Sequence, residues 1–184
     1  MPAFPIPVAE RFDTGNLLAG ERTLFSLSVP AEQVPEARLP ETQRKVFDYW
    51  RSRRGQRLAP RRSDIDPCDL AYALPHLILW EADAPDYRIR LAGTEICRNF
   101  LGELRGTFLG QMRCPLIAEA RTEFDAVRDR GMISVVERTL HWLDRPMAYY
   151  RHLLMPLTND AGRIHILFSV MTFDVIDLPD HLPS

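Results

Sequence analysis

The 184-residue sequence is poor in cysteine and lysine, and it contains no long apolar run. Its three cysteines, Cys68, Cys97 and Cys114, form no CxxC pair, so we expect neither a disulfide framework nor a zinc ribbon. No window reaches the roughly 18 consecutive apolar residues that a membrane-spanning helix needs. Residues 1–7 also lack the basic flank of a signal peptide. The sequence therefore predicts a cytoplasmic protein without a membrane partner.

A single lysine stands beside 22 arginines, and the formal net charge of −2 gives no whole-protein attraction to nucleic acid. The charge is uneven, because residues 44–62 carry eight basic groups against one acid and sum to +7. A solvated helix face plus a loop, with acids of residues 63–184 as a source of ion pairs, is the explanation that we favour for this pattern. The second explanation is an acidic signalling partner, bound by Arg51, Arg53, Arg54 and Arg57. No aromatic residues alternate with these basic residues, as they do in proteins that bind single-stranded nucleic acid. No nucleic-acid partner is therefore predicted.

The chain divides by composition into four segments. Residues 1–40 hold six of the fifteen prolines, which predicts an irregular N-terminal extension. Residues 41–67 contain a basic amphipathic helix over 41–54, with Pro40 suited to its start and Gly55 to its stop, and a charged loop. Residues 68–175 form the core of the domain, and residues 176–184 form a C-terminal tail.

Hydrophobic periodicity and turn residues predict the elements of this core. A first hairpin is followed by short helical passages, one clear helix and a three-stranded antiparallel meander. In chain order the hairpin strands, the clear helix and the meander strands are residues 76–81, 87–91, 115–130, 133–143, 147–157 and 163–173. Segregated helices and antiparallel hairpins indicate an α+β fold.

Several local motifs carry a family resemblance. They are Trp80–Asp83, Tyr87–Thr94, Leu104–Leu109 and Arg151–Leu157, joined by Phe47–Trp50, Pro60–Pro67 and Leu74-Pro75. In order and spacing they resemble a PAS domain over residues 41–175, and most closely the small stand-alone PAS family of alphaproteobacteria. The resemblance implies a five-stranded antiparallel sheet in the order 2-1-5-4-3, with helices on one face. It also implies sensing or protein interaction in bacterial signalling.

The resemblance further implies a small-molecule cavity between the sheet and the helices of residues 94–131. The residues that we expect to line it are Ile96, Phe100, Leu109, Met112, Ile117, Phe124 and His141. A packed core without a void is the equal alternative. No cofactor is identified: the long helix lacks the histidine of PAS heme sensors, and the run around Cys97 has the wrong order for a flavin-binding PAS domain. No metal-ligand spacing is present.

A small enzyme that uses the same cavity is the rival interpretation. It would pair Cys97, as a nucleophile, with His141 or His152 as its base. Nothing in the sequence brings these residues together, and no third group is evident to orient the base. The sequence therefore predicts a regulatory protein without catalytic activity.

The strand at 164–173 is apolar on both faces, so both faces need a cover. Helices cover one face, whereas the other needs residues 1–54 or a second subunit. We expect a homodimer through this outer face and the amphipathic helix, with Val46, Trp50, Leu167 and Met171 as contacts. Residues 1–40 folding back onto the sheet would satisfy the same requirement within one chain.

Overall fold

The structure is a computed structural model that describes residues 22–83, 85–112, 116–139 and 148–175. Its helices are α1 (Glu41–Arg54), α2 (Thr94–Asn99) and α3 (Ile117–Arg130). Its strands are β1 (Thr23–Val29), β2 (Leu77–Asp83), β3 (Asp86–Ala92), β4 (Ile133–Thr139), β5 (Ala148–Thr158) and β6 (Ile164–Val175). The predicted turn at residues 144–146, His141 and Cys114 lie outside the described residues.

The six strands form one antiparallel sheet in the order β1-β4-β5-β6-β2-β3. Leaving β1 aside, the remaining five strands have the implied order 2-1-5-4-3, read from β3 to β4. The α+β class and the PAS-like sheet are therefore confirmed. The sixth strand is an addition to this architecture.

Strand β1 corrects the prediction that residues 1–40 are irregular throughout. It pairs with β4 from Thr23 opposite Arg138 to Val29 opposite Ile133. The prolines that suggested irregular structure fall outside these seven residues, and Pro30 follows directly after the last of them. Within the strand, Phe25 and Val29 pack against the outer side of the sheet. A short β-strand thus extends the sheet beyond β4.

Helix α1 covers the outer face of the sheet. It begins and ends where the sequence predicted, after Pro40 and before Gly55. Val46, Phe47 and Trp50 are completely buried, in one cluster with sheet residues such as Phe168. Gln43 is also buried and donates hydrogen bonds to the carbonyl oxygens of Arg151 (2.8 Å) and Val170 (3.2 Å). The outer cover therefore comes from the same chain.

This arrangement changes the assignment of the four predicted dimer contacts. Val46 and Trp50 are buried in the outer layer, whereas Leu167 and Met171 belong to the cluster on the opposite, inner face. Leu167 and Met171 were thus placed on the wrong face for a contact beside α1, because successive residues of a strand point to opposite faces. The homodimer itself stays a prediction.

Helix α3 covers the inner face. Its buried stripe includes Ala120, Phe124 and Val127, and it ends at Gly131, whose φ of +64° lies in the left-handed region that glycine favours. The passage at 103–112, predicted as helical or loop, contains a 3-10 turn at Leu109–Gln111. In the part of the chain that the structure describes, no helix is long and apolar enough to cross a bilayer.

Replacing Trp50 with phenylalanine tests the outer layer. The Trp50 indole donates a buried hydrogen bond of 2.9 Å to the carbonyl oxygen of Pro156 in β5. Trp50→Phe keeps an aromatic ring but removes this donor, so we expect the free energy of unfolding to fall by about 1–3 kcal/mol. Urea unfolding measures the loss, with Tyr72→Phe at an exposed aromatic residue as the control. A wild-type midpoint for Trp50→Phe would contradict the described packing.

Candidate functional site

A small cavity lies between the sheet and α3, where the sequence predicted one. Its volume is about 40 Å³, and Phe100, Leu109, Met112, Ile117 and Phe124 from the predicted set line it. Ile96, also predicted, is completely buried in the same cluster but does not line the cavity. Further lining residues, none of them in the set predicted for a ligand, are Trp80, Ala120, Arg138, Tyr150, His152 and Met171.

The cavity is small compared with pockets that hold organic ligands. A buried water needs about 10–15 Å³ of such space, whereas drug-sized ligands occupy pockets of roughly 300–1,000 Å³. A volume of about 40 Å³ therefore suits a few waters or a ligand of a few atoms. The core is thus closely packed around a small void. It lies between the two predicted alternatives, a ligand cavity and a core without a void.

Aromatic rings build the apolar part of the wall. Phe124 of α3 meets Trp80 of β2 edge-on at 4.9 Å between ring centroids, and Tyr87 of β3 at 5.0 Å. Edge-to-face pairs of this kind add packing energy beyond the area that they bury. Phe124 therefore fixes the distance between α3 and the β2–β3 hairpin.

Arg138 provides a charged group in this otherwise apolar wall. Its side chain is only 2% exposed, and its Nη2 lies 2.7 Å from Oε1 of Glu123 on α3. Burial raises the pKa of Glu123 above its ordinary value, although the charge of Arg138 opposes this shift. Burial alone would lower the pKa of Arg138, but contacts with Tyr150 and Glu123 outweigh it and raise that pKa. Arg138 therefore remains a cation inside the domain.

His152 forms a second polar part of the wall and is neutral. Its Nε2 lies 2.6 Å from the Ser169 hydroxyl, which also accepts a hydrogen bond of 3.2 Å from the Trp80 indole. Burial lowers the pKa of His152 to about 3, and the charge of Arg138 adds to the effect. Since the indole can only donate, the Ser169 hydroxyl is free to donate its proton to Nε2.

The enzyme interpretation gains no catalytic pair from this geometry. The half-buried Cys97 thiol donates to the carbonyl oxygen of Ala92 at 3.9 Å, whereas His152 contacts Ser169. His141, the other proposed base, lies outside the described residues. Among the residues that are described, no three His, Cys, Asp or Glu side chains cluster as metal ligands would.

The four arginines predicted to bind a partner are paired within the chain. Arg51 contacts Glu36 (2.7 Å) and Asp48 (2.6 Å), and Arg53 contacts Asp69 at 2.7 Å. Arg54 contacts Glu32 at 2.6 Å, and Arg57 contacts Asp64 at 2.7 Å. Three of these acids precede residue 63 and two follow it, so acids of residues 63–184 supply only part of the pairing. Recruitment of an acidic partner stays a prediction.

A charge swap tests the pairing of α1. Arg54 is the least exposed of the four arginines, at 17%, and its guanidinium also lies 5.7 Å from the centroid of the Trp50 ring. Arg54→Glu should lower the free energy of unfolding by about 1 kcal/mol, and adding Glu32→Arg should restore part of it. Arg44→Glu, at an exposed position of the same helix, is the control. Equal losses in Arg54→Glu with and without Glu32→Arg would argue against the pair.

The pH dependence of stability tests the burial of His152. The unfolded chain gains a proton on this histidine below about pH 6.5, while the folded protein resists protonation until about pH 3. The contribution of the neutral His152 to the free energy of unfolding is therefore fully present above pH 6.5. It is lost as the pH falls toward 3, by on the order of 1 kcal/mol per pH unit. Urea unfolding gives the free energy of unfolding at pH 7 and at pH 5. The difference between these two free energies should be smaller for His152→Gln than for the wild type. His165→Gln controls for the loss of an imidazole, and an unchanged difference in His152→Gln would refute the assignment.

Comparisons with known proteins identify the family of the chain. No curated protein matches the chain. A solved RNA-binding light-oxygen-voltage receptor is similar at 16% identity and a TM-score of 0.43. The match covers 58% of this chain and 32% of that one. A family model described as PAS domain matches residues 38–172, which is nearly three quarters of the chain and runs from just before α1 into the last strand. On that match, the chain belongs to the PAS domain family.

Proposed function

We propose that this protein is a regulatory PAS protein that detects a small ligand in its inner cavity and signals by contact with another protein. Family membership supports a sensory or regulatory role in general. Fold alone does not name the ligand, so the proposal depends on the chemistry of the cavity.

The observation that carries the proposal is a buried, charged residue, Arg138, among those that line the cavity. Burying an ion pair is often no more stabilising than packing apolar side chains of similar volume. Arg138 nevertheless lies among the residues that line the void, together with Tyr150 and His152. A few polar side chains in a mainly apolar pocket are what orients a bound ligand, so a ligand with acceptor atoms would suit this set.

The proposal assigns no chemical reaction to the cavity. A neutral His152 bound to Ser169 and a Cys97 thiol bound to a backbone carbonyl suit structural roles better than those of a base and a nucleophile. The free thiols of Cys68, which is exposed, and Cys97 support a reducing compartment, and we place the protein in the cytoplasm on that basis.

The exposed side of α1, together with the loop that follows it, is the proposed contact surface for a protein partner. Arg51, Arg53 and Arg57 keep 45–47% of their side chains exposed although each has an acid beside it. Surface ion pairs are weak, so carboxylates of a partner can compete for these guanidiniums. A homodimer is part of the same proposal, with the subunit count to be measured alongside the ligand.

Native mass spectrometry of the gently purified chain tests the cavity and the subunit count together. We expect an excess mass that disappears on denaturation. Ala120 lines the cavity on α3, so Ala120→Ile should fill the void and abolish the excess mass. Ala118→Ile, at an exposed position of the same helix, introduces the same side chain and should retain it.

Two results would contradict the ligand proposal. One is a wild-type protein without excess mass, and the other is an excess mass that Ala120→Ile leaves unchanged. Overpacking at Ala120 is expected to cost about 1–3 kcal/mol of stability. Thermal unfolding of both variants therefore accompanies the measurement and shows that each remains folded.

A further inference from the structure

The two faces of β1 are held in different ways. On its outer face, Phe25 and Val29 pack against the apolar cluster beneath α1. On its inner face it carries the hydroxyl residues Thr23, Ser26 and Ser28, which lie opposite Arg138, Val136 and Ser134 of β4. The inner face therefore depends on hydrogen bonds rather than on apolar packing.

Those hydrogen bonds lead to two glutamates of α3. The Ser26 hydroxyl donates to Oε1 of Glu123 at 2.7 Å, and the Thr23 hydroxyl donates to Oε2 of Glu119 at 2.6 Å. Arg138 completes the network, because its Nε donates to the Thr23 hydroxyl at 3.2 Å. A strand, a helix and the cavity wall thus share one set of polar contacts.

One carboxylate oxygen links β1 to Arg138, a residue of the cavity wall. Oε1 of Glu123 accepts from both the Ser26 hydroxyl and the Arg138 guanidinium, each at 2.7 Å. A ligand anion that took Arg138 would leave the Glu123 carboxylate buried without its counter-charge, which is strongly unfavourable. Glu123 would then gain a proton or turn toward water, and Ser26 would lose its charged acceptor in either case.

We propose that a small organic anion binds Arg138 in the cavity and breaks the Arg138–Glu123 pair, and that this loosens β1 from α3. Strand β1 is thus a releasable strap, by which we mean an edge strand that detaches locally when the ligand binds. The inference rests on the proposed function, since it uses the same cavity, and adds both the charge of the ligand and the element that responds. Among the described strands, β1 lies at the end of the sheet and pairs with β4 alone. End strands of this kind open locally without global unfolding.

Hydrogen exchange of the full-length protein, read by mass spectrometry, tests the strap without any ligand. Ser26→Ala removes the hydrogen bond to Glu123, so the β1 amides should exchange about tenfold to a hundredfold faster, with β6 unchanged. Ser28→Ala is the matched control, because it removes the neighbouring hydroxyl of the same face and should leave exchange near the wild-type rate. Equal rates in the two variants would overturn the strap.

Acetate tests the link to the cavity, and acetamide, its neutral counterpart of nearly equal size, is the control. At ionic strength matched with sodium chloride, acetate should speed exchange in β1 of the wild type, and acetamide should not. Ala120→Ile, with the cavity filled, should abolish the response to acetate.

The outcomes separate this inference from the proposed function. Calorimetry shows whether acetate binds. If acetate binds and exchange in β1 is unchanged, the proposed coupling between the cavity and β1 is wrong, while the cavity remains a ligand site. Acetate that fails to bind would overturn the anion as the ligand class, even if Ser26→Ala confirms the strap. Faster exchange that persists in Ala120→Ile would show that acetate acts outside the cavity, which also overturns the proposal.

Discussion

The sheet is apolar on both of its faces, and each face must be kept from water. This constraint organises the rest of the structure. On the inner face α3 supplies Phe124 and Val127, and on the outer face α1 supplies Val46, Phe47 and Trp50. Buried polar atoms of the outer layer, such as the Trp50 indole and the Gln43 amide, find carbonyl oxygens of the sheet. The outer layer thus forms hydrogen bonds with the sheet as well as covering it.

The inner layer departs from this plan at one edge. Where β1 and β4 meet α3, several side chains are charged or hydroxylated, and they include the buried ion pair of Arg138 and Glu123. An ion pair in a low-dielectric interior responds strongly to any new charge nearby. The outer layer is held mainly by apolar packing, and its ion pairs lie at the surface. The inner edge is therefore where the proposed anionic ligand would act.

Sequence patterns predicted what depends on local chemistry. The bounds of α1 follow from Pro40 and Gly55, and Gly131 ends α3 as expected. Strand β1 was missed because prolines dominate its surroundings and its partner strand lies more than 100 residues away. The cavity position followed from the family resemblance. Arg138 was not foreseen, because one charged residue in a strand reads as solvent-facing until a helix is known to cover it.

The outer layer ties the start of the fold to its end. Helix α1 precedes five of the six described strands in the sequence, yet its Trp50 and Gln43 bond to residues of β5 and β6 that are 106 to 127 positions later. During synthesis, α1 leaves the ribosome long before the surface that buries it exists. Its apolar stripe must wait for the last strands, because closing so long a loop precedes any gain from the contact. Translation speed through the final third of the chain therefore sets how long the nascent protein exposes Trp50 to chaperones and to aggregation.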